Sequence, residues 1–386
     1  MIPYGKQHIN QADVDAVLEV LGSDFLTQGP KVPEFEQGIA DYCGANYAVA
    51  VNSATSALHI ACLALGIGEG DVVWTSPISF VASANCVLYC GAEIDFVDID
   101  SNTYNLSVSE LEKKLIQANK NGELPKAVIA VHMSGLSCDM EAISQLADQY
   151  GFAVIEDASH AIGASYHGRK VGDCQFSDMA IFSFHPVKII TSAEGGMVTT
   201  NDPKLAEQLQ LFRSHGVTRD EELMTEESHG AWYYQQITLG YNYRMSDIQG
   251  ALGLSQLQRL DEFVEARNDL SLRYDKALSG LPIKLPLIDD ERISARHLYI
   301  IRLRLSELNK THPEVFDQLR ANGVGVNLHY IPIHIQPYYR KLGFKVGQFP
   351  EAESYYQDAI SIPLYAHMTE SEQDEVIAKI VAVLQP

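Results

Sequence analysis

The sequence predicts an α/β fold in which a mostly parallel β-sheet is covered by helices on both faces and is followed by a smaller C-terminal α/β domain. Three observations favour this fold. Short apolar runs alternate with amphipathic stretches, the runs are apolar along their whole length, and a long helical pattern, Met245–Ala277, follows the alternation. We therefore expect a large domain at residues 1–255 and a small domain at residues 256–386, with the boundary inside the long helix.

The period of the apolar residues predicts the individual elements. Short apolar runs indicate the strands Ala48–Val51, Asp71–Thr75, Ile94–Val97, Ala127–Val131, Phe152–Ile155, Met179–Ser183, Met197–Thr200 and Tyr299–Leu305. Helical patterns indicate Ser53–Leu65, Phe80–Tyr89, Met140–Tyr150, Pro313–Ala321 and Glu370–Leu384. The stretch Arg219–Gln236 has no clear period and is interpreted as a long loop, either a lid or a surface insertion. Right-handed crossovers place the loops after parallel strands along one edge of the sheet, where we expect a ligand to bind.

Composition and charge limit the partners of the chain. Of its 386 residues, 46% are apolar and 20% are charged, which is typical of a globular protein and excludes a disordered or collagen-like chain. The chain carries 28 basic and 50 acidic side chains, a formal charge of −22. Such a surface repels nucleic acid and anionic lipid, so we expect neither as a partner. An anionic ligand would need local devices such as helix N-termini.

The cysteines and the N-terminus point to a cytoplasmic protein. The six cysteines include no CxxC pair and lie in apolar surroundings, which favours reduced, buried thiols over a metal site. The first residues, MIPYGKQHINQADV, lack the apolar core of a signal peptide. The longest apolar runs are also shorter than the ~20 residues that cross a bilayer. We therefore expect a soluble protein without a metal.

Two strand ends carry residues suited to binding a charged ligand. At Asn52–Leu58 a strand gives way to a helix that begins with small, hydroxylated residues, and such a turn binds phosphate through its free N–H groups. The alternative interpretation of this turn is a plain helix cap by Ser53 or Thr55. At Phe152–His160 an apolar strand delivers Asp157 to its carboxyl end, with His160 just beyond. This carboxylate either pairs with a cation in the cleft or caps a helix.

A third strand end carries a lysine. The strand that ends at Ser183 is followed five residues later by Lys188, among small or apolar neighbours and before the glycine pair of Ala193–Gly196. A lysine removed from water has a lowered pKa and attacks aldehydes, whereas a solvated surface lysine does not. The order of phosphate turn, acidic strand end and lysine loop is that of the fold-type I enzymes that use pyridoxal phosphate (PLP).

The chain resembles one family of these enzymes, the nucleotide-sugar aminotransferases. The segments that carry the resemblance are Leu26–Pro30, Asn52–Leu58, Pro77–Ala82, Glu156–Gly163, Ser183–Lys188, Ala193–Gly196, Arg213–Gly216, Gly240–Ile248, His329–Pro332 and Ser361–Leu364. Three further stretches are most similar to the branch that acts in pseudaminic acid biosynthesis: Thr75–Asn85, Ser159–Gly172 and Asn327–Tyr339. The resemblance implies a fold-type I transferase with PLP, or its amine form PMP, as cofactor.

The resemblance also implies roles for particular residues. Lys188 would form the Schiff base with PLP and move protons, while Asp157 would pair with the pyridine nitrogen and His160 with the ring hydroxyl. The other residues implied to bind the cofactor are Ala54, Thr55 and Ser183 at the phosphate, Phe80 on the ring face, and Asn242 at the neighbouring subunit's phosphate. The residues implied to line the substrate site are Tyr4, Asp24, Phe25, Leu26, Thr27, His185, Asn327, Leu328, His329 and Tyr330. Asn242 thus implies a homodimer with shared active sites.

The implied reaction is transamination at C4 of a UDP-linked 4-keto-6-deoxy-N-acetylhexosamine, with L-glutamate as amino donor. A C3 ketone and a dTDP- or GDP-linked sugar are alternative substrates. The lysine-free dehydratase branch of the family is disfavoured by Lys188. A regulator with an aminotransferase-like fold would need to contact DNA, which the charge of −22 opposes. A purely structural role would leave the lysine, the aspartate and the phosphate turn together by coincidence.

Overall fold

A computed structural model describes residues 1–287 and 291–385. The helices of these residues are α1 (Gln11–Leu21), α2 (Lys31–Cys43), α3 (Ala54–Ala64), α4 (Ala82–Tyr89), α5 (Val108–Asn121), α6 (Met140–Tyr150), α7 (Pro203–Arg213), α8 (Asp247–Leu257), α9 (Leu260–Leu278), α10 (His312–Ala321), α11 (Pro337–Lys341), α12 (Pro350–Asp358) and α13 (Glu370–Leu384). The strands are β1 (Tyr47–Val51), β2 (Val72–Thr75), β3 (Glu93–Phe96), β4 (Ala127–Val131), β5 (Ala153–Asp157), β6 (Ser165–Tyr166), β7 (Arg169–Lys170), β8 (Met179–Ser183), β9 (Gly196–Thr200), β10 (Val217–Thr218), β11 (Gln235–Gln236), β12 (Ile283–Lys284), β13 (Arg292–Ile293), β14 (Tyr299–Leu303) and β15 (Ala359–Ile362).

The predicted α/β fold with a mostly parallel sheet is confirmed. Within the described residues, seven strands form the central sheet in the order β1-β9-β8-β5-β4-β2-β3. The strands from β8 to β3 in this order run parallel to their neighbours, and only β9 pairs antiparallel, with both β1 and β8. Each predicted strand of this sheet lies within one or two residues of its observed position. The carboxyl ends of β5 and β8 are therefore adjacent, and these strands end at Asp157 and Ser183.

Helices cover both faces of the central sheet, which explains why its strands are apolar throughout. On β4, Ile129 packs into one core cluster with Leu58 of α3, while Val128 and Ala130 pack on the opposite face with Leu115 of α5. All five side chains are buried. Both faces must therefore be apolar, and the alternation typical of a half-exposed strand is absent from β4.

A second core forms around the smaller sheet β12-β14-β15. Its buried side chains come from this sheet and from α9, α10 and α13, with Tyr274 and Tyr299 at its centre. The N-terminal segment belongs to this part of the molecule, because the Gly325 N–H donates to the carbonyl of Ile2 at 2.7 Å and the Leu364 N–H donates to that of Tyr4 at 3.0 Å. The N-terminal segment and the C-terminal part of the chain are therefore in contact beside the central sheet.

The prediction of one long helix over Met245–Ala277 is wrong, because this stretch forms two helices. α8 ends at Leu257 and α9 begins at Leu260, with Arg259 between them at φ −114° and ψ 10°. The Arg259 guanidinium forms an ion pair with the buried carboxylate of Asp13 and holds the chain at this break. The predicted domain boundary at residues 255/256 falls near the end of α8 and stays a prediction.

The predicted loop over Arg219–Gln236 is confirmed for most of its length. Its last two residues form β11, which pairs antiparallel with β10 and so closes the loop at its base. Trp232 and Tyr234 of this loop are exposed. Across the described residues, none of the helices is both long and apolar enough to cross a bilayer.

Candidate active site

A cavity of about 580 Å³ opens at the carboxyl edge of the central sheet, where the sheet meets the N-terminal segment and the C-terminal part of the chain. The residues predicted for the site that line this cavity are Tyr4, Ala54, Thr55, Phe80, Asp157, His160, Ser183, His185, Lys188, Asn327, Leu328, His329 and Tyr330. Its volume lies within the range usual for a cofactor site. The fold therefore brings together side chains that are up to 326 positions apart in the sequence.

Lys188 reaches the cavity from a short loop that hydrogen bonds hold closed. The Phe184 N–H donates to Gly195 O at 2.9 Å, and the Ser192 N–H donates back to Phe184 O at 3.0 Å. The buried side chain of Ile190 anchors the loop in the core. Burial lowers the pKa of Lys188 to about 8, against the opposing attraction of Asp157. Near this pH a substantial share of the amines is neutral and can act as a nucleophile.

Asp157 is the last residue of β5, and both of its carboxylate oxygens accept a hydrogen bond. The Ser83 hydroxyl donates to Oδ2 at 2.6 Å, and the Ser159 N–H donates to Oδ1 at 3.2 Å. The side chain is buried, with 5% of the residue exposed. These two donors fix the orientation of the carboxylate, and Asp157 is hydrogen-bonded at the C-terminal edge of the sheet rather than capping a helix.

The turn between β1 and α3 acts both as a helix cap and as a lining of the cavity. The Ser53 hydroxyl accepts a hydrogen bond from the Ser56 N–H at 3.2 Å and thereby caps α3, while Ala54 and Thr55 line the cavity. The first residue of β9, Gly196, packs directly against this turn. A Cβ atom at Gly196 would lie 2.5 Å from the Ser53 carbonyl group, so only glycine allows this approach.

The opposite wall of the cavity is formed by neutral aromatic groups. The His160 Nε2 atom and the Tyr330 hydroxyl are hydrogen-bonded at 3.2 Å, and the ring of His297 lies 4.4 Å from that of His160, between centroids. Burial, followed by repulsion from Lys188, lowers the pKa of His329 to about 4. The same two causes lower the pKa of His160 well below its ordinary value. These histidines are therefore uncharged near neutral pH.

Several residues of the site were not predicted from the sequence. Ser79 and Ser159 directly precede the predicted residues Phe80 and His160, and hydroxyl groups in a loop that follows a strand are a signal that could have indicated them. Ser83 had no local signal, because its partner Asp157 lies 74 residues further along the chain. Glu194 lies in the predicted segment Ala193–Gly196 and lines the cavity near Lys188. His297 had no such signal, because it precedes β14 and reaches the cavity only through the packing of the C-terminal part.

Five predicted residues do not line the cavity of the single chain. Phe25 and Leu26 are 54% and 48% exposed, and Asp24 and Thr27 are exposed as well. The backbone of this segment is tied to the start of α8, where the Asp247 N–H donates to Leu26 O at 3.0 Å. Asn242 is exposed and pairs through its backbone with Ser214. The substrate-site role of Asp24–Thr27 and the role of Asn242 at the neighbouring subunit's phosphate remain predictions.

The residues that line the cavity fit the functional groups of PLP. Thr55 lies in the first turn of α3, and Ser183 pairs with Gly196, whose backbone packs against Ser53 and Ala54 at the start of the same helix. Hydroxyl groups beside a helix N-terminus suit a phosphate. Asp157 would supply a carboxylate for the ring nitrogen, and Lys188 would supply an amine of lowered pKa for the aldehyde. The residues present therefore match the three functional groups of PLP.

This fold and this combination of residues define a PLP-dependent transferase. The model of the DegT/DnrJ/EryC1/StrS aminotransferase family matches residues 7–381, and the chain belongs to this family of PLP-dependent aminotransferases. The predicted family, enzyme class and cofactor are thereby confirmed.

Two curated relatives and one solved structure illustrate the similarity. The chain is 39% identical to the UDP-4-amino-4,6-dideoxy-N-acetyl-beta-L-altrosamine transaminase of Campylobacter jejuni strain 81-176, over 100% of this chain and 98% of the relative. It is also 39% identical to the spore coat polysaccharide biosynthesis protein SpsC of Bacillus subtilis, over 97% and 95%. Helicobacter pylori PseC, an aminotransferase of pseudaminic acid biosynthesis, superposes with a TM-score of 0.90 at 32% identity, with 99% of each chain covered.

Proposed function

We propose that this enzyme transfers an amino group to C4 of a UDP-linked 4-keto-6-deoxy-N-acetylhexosamine, with L-glutamate as donor. The product would be UDP-4-amino-4,6-dideoxy-N-acetyl-β-L-altrosamine, a precursor of pseudaminic acid. The observation that carries the proposal is the meeting of the Lys188 amine, the Asp157 carboxylate and the N-terminus of α3 in one cavity. The full-length similarity to the Campylobacter transaminase supports the choice of sugar.

The residues of the cavity have different roles in the proposed reaction. PLP, when bound, withdraws electrons from the reacting carbon and carries the amino group between the two substrates. Asp157 holds a proton at the ring nitrogen, because a carboxylate fixed by two donors pairs best with a cationic partner. Ala54, Thr55 and Ser183 would bind the phosphate.

Lys188 is the proposed general acid and base. With a pKa of about 8 it gains and loses protons close to neutral pH, which is the condition for efficient acid–base catalysis. The neutral histidines His160 and His329 add no positive charge beside this amine, so burial is the cause that favours its neutral form. Each half of the transamination requires such a group to move a proton between carbon atoms, and ping-pong kinetics are expected.

The proposed sugar site is the wall formed by Tyr4, His185 and Asn327–Tyr330. His329 is held by the Ser361 hydroxyl at 2.8 Å from Nδ1, and the Asn327 and Ser361 backbones exchange hydrogen bonds of 3.0 and 2.8 Å. Amide, imidazole and phenol groups suit the hydroxyls and the N-acetyl group of a sugar, because each provides a hydrogen-bond donor or acceptor without a net charge.

The proposed enzyme is a cytoplasmic homodimer in which Asn242 of one subunit completes the site of the other. Cytoplasmic location is supported by the cysteines of the described chain, which are free thiols, five of them buried. The dimer is tested by coexpressing the Lys188→Ala and Asn242→Ala variants. One site of the mixed dimer would then be intact, so activity should exceed that of either variant alone. Equal inactivity of the mixture and the single variants would contradict shared sites.

The substrate is tested by incubating the holoenzyme with L-glutamate and a panel of keto-sugars. The panel contains the UDP-linked 4-keto sugar, a 3-keto sugar, and dTDP- and GDP-linked 4-keto sugars, with the position of the new amine assigned by NMR. We expect amination at C4 of the UDP sugar with the highest kcat/KM. Preference for another member would contradict the proposal. The equal identity to SpsC, a spore coat polysaccharide protein, makes this panel necessary.

A further inference from the structure

Two buried serines form a hydrogen-bonded chain that ends on the carboxylate of Asp157. The hydroxyl oxygens of Ser79 and Ser83 lie 2.6 Å apart, and the Ser83 hydroxyl lies 2.6 Å from Asp157 Oδ2. Ser79 is 3% exposed and Ser83 is fully buried, and both line the cavity. Because Ser83 is the second residue of α4, the helix that follows β2 delivers this chain to the end of β5.

The direction of the protons in this chain follows from the charge of its last member. An ionised carboxylate only accepts hydrogen bonds, so the single hydroxyl proton of Ser83 must point to Asp157. The oxygen of Ser83 is then free to accept, and Ser79 must donate to it. Hydrogen bonds aligned in this way polarise one another, and O–H···O⁻ bonds of this length are among the stronger ones in proteins.

We propose that Ser83 is a positioning residue that keeps Asp157 ionised and directed at the pyridine nitrogen of PLP, and that Ser79 strengthens its effect. The proposal rests on the assignment of PLP as cofactor and does not depend on the identity of the sugar. Ser83 acts through Asp157 and is not assigned a contact with the substrate.

The physical reason lies in the competition for one proton between the ring nitrogen and the carboxylate. A donated hydrogen bond stabilises the carboxylate relative to the carboxylic acid and so leaves the proton on the nitrogen. Without the Ser83 hydroxyl, Oδ2 loses its donor while Oδ1 keeps the Ser159 N–H. The carboxylate then attracts the shared proton more strongly, and a smaller share of the bound cofactor carries a protonated ring.

The experiment measures ring protonation directly, in the holoenzyme and without any substrate. Apoenzyme is loaded with PLP that carries ¹⁵N in its ring, and the ¹⁵N chemical shift is recorded for the wild type and for Ser83→Ala, Ser83→Thr and Ser79→Ala. Ser76→Ala is the matched control, because Ser76 is a buried serine of the same segment, 1% exposed, whose hydroxyl donates to Ile78 O at 3.3 Å instead.

We expect Ser83→Ala to move the ¹⁵N signal toward the unprotonated position and to weaken PLP binding by roughly tenfold, the value of a hydrogen bond to a charged group. Ser79→Ala should move the signal in the same direction by less, since the bond from Ser83 to Asp157 survives. Ser83→Thr retains the hydroxyl and should keep the wild-type signal, as should Ser76→Ala.

An unchanged ¹⁵N signal in Ser83→Ala would overturn the proposal, and so would an equal shift in Ser76→Ala. If Ser83→Ala does not retain PLP, Ser83→Cys takes its place, because a thiol is a weaker donor of similar shape and should give an intermediate shift. A wild-type signal in Ser83→Cys would then refute the role. A failure of the sugar assignment would appear only in the substrate panel and would leave these spectra unchanged.

Discussion

The two walls of the cavity are built in different ways. The proposed cofactor wall consists of Ala54, Asp157, Ser183 and Lys188, and each of these residues lies within five positions of a strand end or a helix start of the central sheet. The proposed substrate wall comes mainly from Tyr4 and Asn327–Tyr330, which lie in two distant parts of the chain. The proposed cofactor wall carries an acidic and a basic side chain, Asp157 and Lys188, while His329 of the proposed substrate wall is uncharged near neutral pH.

This difference shows which contacts depend on topology and which depend on packing. The relative positions of Asp157 and Lys188 follow from the adjacency of β5 and β8, because parallel neighbours end at the same edge. The substrate wall depends on interactions such as the bond from the Leu364 N–H to Tyr4 O, which form only when the second core packs beside the sheet. Changes in the cofactor wall should therefore abolish chemistry, while changes in the substrate wall should alter binding.

Substitution of Lys188 is expected to have the largest effect. Both Lys188→Ala and Lys188→Arg should lower kcat by at least ~10²–10⁴-fold, since neither supplies an amine that titrates near pH 8. Mass spectrometry after borohydride reduction should find PLP attached to Lys188 in the wild type and to no residue in the variants. Lys113→Ala, at an exposed lysine paired with Glu110, serves as the control. Attachment of PLP at another lysine would break the assignment of the cofactor wall.

Asp157→Asn should have the next largest effect. The amide cannot hold a proton at the ring nitrogen, and we expect kcat/KM to fall by on the order of 10²–10³-fold, as for the loss of other charge-stabilising groups. The matched control is Asp139→Asn, because Asp139 caps α6 and asparagine caps a helix equally well. Steady-state kinetics that show equal activity in both variants would remove Asp157 from the catalytic machinery.

The rate at which apoenzyme captures PLP should depend on pH through Lys188. Burial lowers the pKa of this amine from 10.5 to about 8, so the neutral, nucleophilic form gains about tenfold per pH unit up to pH 8 and changes little above it. Stopped-flow absorbance on apoenzyme checks this profile. A midpoint near 10.5 would mean that the lysine is solvated and that the cofactor wall is not buried in solution.

Tyr330→Phe tests the substrate wall and should have the smallest effect. The variant loses the hydrogen bond to His160 Nε2 and retains the ring, so we expect kcat/KM to fall by about 2–10-fold, mainly through KM. Tyr338→Phe is the control, because Tyr338 is 59% exposed and lies outside the cavity lining. A fall of 10²-fold or more in kcat for Tyr330→Phe would place this hydroxyl in the chemical step and erase the distinction between the walls.

Much of the fold and half of the site were predictable from local sequence. The strands Ala127–Val131 and Met179–Ser183 and the helix Met140–Tyr150 were predicted with their observed bounds, because their apolar residues have the period of the element. The break at Arg259 was not predicted, and the partner of Arg259 in the structure, Asp13, lies 246 residues away in the sequence. Ser83 was also missed, because its partner lies 74 residues further along the chain.

By itself, the sequence determined the family and the order of the elements and predicted the residues of the proposed cofactor wall, because these depend on periodicity and on motifs at strand ends. Only the tertiary structure decided that His297 joins His160, that His160 and His329 are neutral, and that Ser83 donates to Asp157. Those properties depend on burial and on distances between groups far apart in the chain, and neither quantity exists before the cores have packed.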